Sequence, residues 1–289
     1  MSGLLDIIEE AIRSFFIGLI ESNLTTMFAD VNEKTATIAE QIGQTPQGWN
    51  GNIFSMIRSL SETVIIPIAG MIITFVLCYE LISMITEKNN LHEGDTFSFF
   101  KYFIKMWVAV FLVSHTFDIT MAIFDVAQHV VTAASALIRG SAYIDIGEVL
   151  AAMIAALQDK GIPELAALSM ETLLVSNAMK LLSVLITVIL YGRMIEIFLT
   201  CSVAPIPFAT LTNREWGQIG NNYIRNLVAL GFQGFFMMVC VAIYTVLVQS
   251  IVLSENIHAN VFQIAAYTVL LCFSLFKTGS LSKSIFNAH

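Results

Sequence analysis

The chain has 289 residues, of which 56% are hydrophobic and 12% charged, with a formal net charge of -8 and a mean hydropathy of +0.77. That balance excludes an ordinary soluble domain and marks an integral membrane protein. With no basic excess, it also argues against a chain that grips nucleic acid or anionic lipid by overall charge. Cys78, Cys201, Cys240 and Cys272 all fall in apolar runs without metal spacing, and free buried thiols are expected.

The first residues, Met1 to Glu10, carry Asp6, Glu9 and Glu10 but no lysine or arginine, so no cleaved secretory signal is expected there. Leu5, Ile8, Ile12, Phe15 or Phe16, and Leu19 recur at helical spacing, which predicts an amphipathic helix. The uncharged stretch between Arg13 and Glu21 is too short to span a bilayer, so this helix should lie on the membrane or dock on a partner. Asp30 to Gly51 turns polar and reads as a loop to the first span.

Five spans are predicted by length. The first covers about Thr63 to Thr86, with Pro67 tolerated near its start. The second begins near Lys105 and extends as helix to about Ile138, and the third covers Leu173 to Phe198. The fourth and fifth cover about Leu227 to Leu253 and Ala259 to Phe276. The predicted fold is therefore all-α: a polytopic helical membrane protein with an N-terminal amphipathic helix and a proline-broken elbow. Its organisation is 1–52 as helix and loop, 53–141 as spans one and two, and 142–171 as an external segment. Residues 172–289 hold spans three to five, the elbow at 200–213 and a short cytoplasmic C-terminus.

Lysine and arginine set the orientation. Lys88, Lys101 and Lys105, then Arg214 and Arg225, then Lys277 and Lys283 fall on one face, which the positive-inside rule makes cytoplasmic. Arg139 and Lys160 are spread over the long opposite segment, and Ser254 to His258 has none. The N-terminus is expected outside and the C-terminus inside. The external segment holds Val149 to Leu157, apolar but short, and a second short helical piece at Glu164 to Glu171. Such alanine-rich pieces rest on the leaflet or pack between subunits.

His115, Asp118, Asp125 and His129 fall near one face of the second helix, with Ala122 as a gap in the stripe. Carboxylates in hydrocarbon face protein or water, so the stripe reads as a seam between helices or subunits, a cavity lining or a proton path. In the stretch RMIEIFLTCSVAPIPFATLTNREWGQIGNNYIRNLVALGFQG, Arg193 and Glu196 are spaced to pair on one helix face. Pro205 and Pro207 should end the helix, pushing Ala204 and Ile206 toward extended geometry. Thr212 and Glu215 then form a capping box for a new helix, Trp216 suits an interface, and Arg214 and Arg225 form a polar platform for cytoplasmic partners. The elbow is either a rigid packing corner or a site where free carbonyls hold an ion or substrate. Gly231 and Gly234 allow close helix approach. No nucleophile with a base, zinc spacing or phosphate loop is evident, so no catalytic, cofactor or metal residues are assigned and an enzyme is not expected.

The segment SVAPIPFATLTNREWGQIGNNYIRNLVALGFQGFFMMVCVAIYTVLVQSI resembles the polytopic conjugal-transfer proteins of the TrbL type, counterparts of the sixth VirB protein, from mobile elements of Gram-positive bacteria. The likeness is closest over about Arg193 to Ile251, and elsewhere it is one of hydropathy layout. It implies an outside N-terminus, about five spans, a large external segment and a cytoplasmic C-terminus. It also implies a cytoplasmic-membrane core or channel subunit of a type IV secretion system, assisting export of single-stranded DNA with its relaxase. The implied partners are further copies of the chain in a ring, an assembly ATPase, a coupling ATPase and a bitopic scaffold protein, besides membrane lipid and transient DNA–relaxase cargo. Functions tied to the long hydrophilic C-terminal extension of some relatives are not carried over. A multi-pass ion channel using the His115 to His129 stripe, or a secondary transporter, stands as the alternative.

Overall fold

A computed structural model describes residues 2–87, 95–139, 146–251 and 257–288. Lys88, the first residues of the external segment and residues 254–256 of the Ser254 to His258 connection lie outside them, as does the Arg139 side chain. Every element among the described residues is helical: α1 (Ser2–Ile42), α2 (Pro46–Trp49), α3 (Gly51–Leu60), α4 (Ile66–Glu87), α5 (Asp95–Ser114), α6 (Thr116–Arg139), α7 (Ile146–Leu157), α8 (Ile162–Ser202), α9 (Pro205–Thr210), α10 (Gly217–Ile251) and α11 (Ile257–Ile285). Among the described residues, five helices are long and apolar enough to cross a membrane: Gly51–Thr86, Thr116–Ala136, Ile162–Ser202, Gly217–Ile251 and Ile257–Ile285.

Three expectations change. Residues 30–42 are not loop, because α1 continues to Ile42. Ile20, Leu24, Met27, Phe28, Val31, Ile38 and Ile42 are all buried, with Lys34 and Thr35 buried in the turn between Val31 and Ile38. A mainly apolar buried stripe carries the helix through this polar stretch. The short piece at Glu164 to Glu171 is instead the start of α8, a single helix of 41 residues. The candidate second span, Thr116–Ala136, lies inside the expected helix from Lys105 to Ile138. Finally, Cys78 is exposed and Cys240 half-buried, while Cys201 and Cys272 are buried; all four thiols are free.

The first span gains about three turns before Thr63. Asn50 Oδ1 accepts from the amides of Asn52 (3.1 Å) and Ile53 (3.0 Å), capping α3. α3 joins α4 through one π-helical turn, Ser61–Ile65, in which the Ile66 amide reaches back to the Ser61 carbonyl. Pro67 explains the widened turn: its ring clashes with the carbonyl four residues earlier and it donates no hydrogen bond.

The chain forms two compact units. Unit one comprises residues 1–42, 132–190 and 236–278. Within it α1 packs on α7, Asn23 Nδ2 donates to Thr172 Oγ1 (3.2 Å), and the Tyr244 and Thr268 hydroxyls bond at 3.0 Å. Arg13 donates to the Gln158 carbonyl, and Glu171 pairs with His258 at 2.5 Å. Unit two comprises residues 43–131, 191–235 and 279–289. Its core joins Ile73 and Leu77 of α4, Ala109 and Val113 of α5, Phe117 and Phe124 of α6, Phe198 and Cys201 of α8, Phe208 of α9, and Leu227 and Leu230 of α10. α9 sits against α4 and α5, and this places the elbow.

Candidate polar face and elbow

Both features lie in unit two. α5 and α6 meet at His115, where the backbone stays nearly helical: the His115 amide bonds the Phe111 carbonyl and the Ile119 amide bonds the His115 carbonyl. Phe117 and Phe124 point into the core, and His115, Asp118, Ala122, Asp125 and His129 therefore share the outward side, where all five are exposed. His115 stacks on Phe111 at 4.4 Å, and its Nδ1 lies 3.1 Å from the Phe111 carbonyl, which makes Nδ1 the protonated nitrogen.

Asp118 has a partner that its own helix does not supply. Arg58 Nη2 reaches Asp118 Oδ1 at 3.2 Å while Arg58 Nε bonds Glu62 Oε1 at 2.8 Å, and the guanidinium lies 5.6 Å from the centre of the Phe117 ring. The Arg58, Glu62 and Asp118 side chains remain 44%, 44% and 61% exposed. Charges exposed this far within candidate spans face water or other protein, because hydrocarbon would leave them unsolvated. Starting the first span at Thr63 leaves Arg58 out of it. The clue in the sequence is the spacing of Arg58 and Glu62, four residues apart as on one helix face.

At the elbow, α8 ends at Ser202 and the six-residue α9 comes next, so no helix of spanning length lies between α8 and α10. Ala204 is not extended: it has φ -50° and ψ -38°, and Pro205 occupies the first helical position, where its missing amide costs nothing. The expected capping box does not form. Asn213 Oδ1 accepts from the amides of Glu215 (2.8 Å) and Trp216 (2.9 Å), whereas Thr212 Oγ1 is buried without a hydrogen-bond partner. Asparagine is the stronger cap, and one residue of register decides which side chain reaches the amides.

Glu215 instead accepts from the Tyr79 hydroxyl at 3.3 Å. Trp216 lies nearly parallel to Phe75 and Tyr79, at 5.6 and 5.8 Å between ring centres, bridging two successive turns of α4. On the other side, the Tyr223 hydroxyl donates to the Thr200 carbonyl at 2.6 Å. The Tyr102 hydroxyl donates to the Leu77 carbonyl at 3.0 Å, and burial pushes its phenol above the ordinary value, with Cys78 and Glu80 adding to the rise.

The expected Arg193–Glu196 ion pair is displaced: Lys283 Nζ takes Glu196 Oε1 at 2.8 Å, leaving Arg193 buried with its Nε unpartnered. Pro205 is buried, Pro207 half-buried, and Arg214 and Arg225 are exposed. Gly231 and Gly234 are both buried in α10; a Cβ at Gly231 would stand 2.8 Å from that of Ala127 on α6. Gly220 is tighter still, since a Cβ there would meet the Pro207 carbonyl oxygen at 2.7 Å and Leu211 Cγ at 2.6 Å.

An all-helical fold with five spanning-length helices and a charged outward face defines a multi-pass membrane protein. The chain belongs to the family described as TrbL/VirB6 plasmid conjugal transfer like protein, whose profile matches residues 31–205. It is therefore a component of a conjugal transfer system. The match ends at Pro205, so the stretch 206–251 that carried most of the resemblance lies beyond it. No curated protein and no solved structure matches the chain.

Proposed function

We propose that this protein is a cytoplasmic-membrane core subunit of a conjugative type IV secretion apparatus, assembled as a ring and assisting export of single-stranded DNA with its relaxase. The observation that carries this reading is the outward placement of Arg58, Glu62, Asp118, Asp125 and His129 on helices otherwise surrounded by apolar surface. Such a face is satisfied by a water-filled lumen or by the next copy of the chain. Its charge is mainly acidic, with Glu62, Asp118 and Asp125 against Arg58, which suits a conduit that does not retain a polyanion, since single-strand binders line their grooves with cations and stacking aromatics. The N-terminus lies outside and the C-terminus in the cytoplasm, as the lysine and arginine distribution favours. The elbow then faces the cytoplasm, where the assembly ATPase and coupling ATPase work, and a bitopic scaffold protein contacts the external segment.

The experiment is an in-frame deletion of the gene in a donor carrying the element, complemented by wild type or by Asp118→Asn. Transfer should fall at least a hundredfold on deletion, return with wild type, and return only in part with the variant, which inserts normally. Unchanged transfer after deletion would sink the reading.

A further inference from the structure

The last turns of the first span carry a cleft that the transfer function does not use. It has a volume of about 320 Å³ and lies between Tyr79 and Met84 of α4, Lys101 to Lys105 of α5, and the 213–215 turn of the elbow, all within unit two. Its charges are unequally satisfied. Lys105 is bonded to Glu80, and Glu215 accepts from Tyr79 at 3.3 Å. Two cations are left over. Lys101 rests on the Phe97 ring at 4.5 Å, and Arg214 is exposed with no ion-pair or hydrogen-bond partner among the described residues. Among the described residues, three cations thus stand against two carboxylates in the lining, a local positive excess within a chain of net charge -8.

The surroundings are apolar. Phe75 and Ile82 of α4 and Phe103 and Trp107 of α5 are exposed. A small cationic cleft at the end of a span, flanked by open apolar helix surface, matches an amphiphile with an anionic head. A protein partner would need a far larger contact than a cavity of this size supplies, since stable interfaces bury about 1,200 Å² or more. Arginine offers a planar fork suited to phosphate oxygens, and lysine a point charge beside it.

We propose that this cleft binds the phosphodiester headgroup of an anionic phospholipid, held by Arg214 and Lys101, with the acyl chains lying along the exposed apolar flanks of α4 and α5. The lipid would tie the elbow to the first span in addition to the Trp216 stack. Because Arg214 has no partner among the described residues, replacing it removes the headgroup contact without removing an internal one.

The test is native mass spectrometry of the full chain released from nanodiscs of phosphatidylglycerol or of phosphatidylcholine. Wild type should retain one phosphatidylglycerol per chain and no phosphatidylcholine. Arg214→Gln and Lys101→Gln should each weaken retention several-fold, the double variant at least tenfold, and Arg214→Lys with Lys101→Arg should keep most of it. Equal retention by the double variant, with unchanged helical circular dichroism, would overturn the assignment. So would inorganic phosphate that binds the delipidated chain as tightly and displaces the lipid, which would make this a soluble-anion site. A double variant that keeps its lipid but loses a co-purifying transfer protein would make the cleft a protein-docking surface, against the proposal. None of these outcomes depends on whether DNA passes this chain.

Discussion

Among the described glycines, Gly220 has the least room to change. Its missing Cβ lets the first turns of α10 lie against the Pro207 carbonyl and Leu211, and an added methyl would press on backbone as well as on a flexible side chain. Overpacking of this kind costs about 1–3 kcal/mol. Gly220→Ala should lower the thermal unfolding midpoint of the detergent-solubilised protein, and an unchanged midpoint would show that the elbow yields. Nothing in the sequence distinguishes Gly220 from its neighbours, since a close approach between a turn and the helix after it depends on the path between them. Gly231 is legible for the opposite reason: the spacing of small residues on a spanning helix is itself the signal. The choice of cap has the same origin as the Gly220 contact. Thr212 and Asn213 are both good caps, and only the path of the chain out of α9 decides that Asn213 reaches the free amides.

For the elbow, the prolines act against what the chain would otherwise do. Ala204 is already helical, and without Pro205 and Pro207 α8 could run on through α9. Each proline penalises that straight helix by about 3 kcal/mol in its interior, while costing little in the first turn of α9. The double variant Pro205→Ala, Pro207→Ala should therefore insert normally but straighten, pulling Trp216 off Phe75 and Tyr79. Tryptophan fluorescence should shift and transfer should drop at least tenfold; transfer at the wild-type level would make the elbow dispensable. The break is legible because proline chemistry is local. The extent of α1 and α8 is not, because composition suggests loops where buried apolar stripes continue the helices.

In the whole molecule, burial is unevenly shared among the spans. In the most apolar 18-residue stretch of each span, 56% of the residues are buried in the fourth and 22% in the first, so the first offers more of its surface to lipid or to neighbours. Ala122, in the gap between Asp118 and Asp125, is exposed on the polar face. With exposed Cys78 replaced by serine, Ala122→Cys should cross-link copies of the chain in native membranes under a short bis-maleimide, giving dimers and higher species. Only monomer under those conditions would remove the ring from the proposal. Span number and class are legible because bilayer thickness sets a length that composition alone can meet. The Arg58–Asp118 pairing is not, because it joins residues sixty positions apart on separate helices.

The π-helical turn at Ser61–Ile65 bears on that pairing. One extra residue in a turn rotates the helix before it by about 100° relative to the helix after it. The first span therefore has two phases: α3 aims Arg58 at Asp118, while α4 aims Phe75 and Tyr79 at Trp216. A single unbroken α-helix of the same sequence could satisfy one of these contacts but would turn the other aside. The widened turn thus lets one span serve the polar face and the elbow together, and Pro67, unremarkable at the start of an apolar run, sets the angle between them.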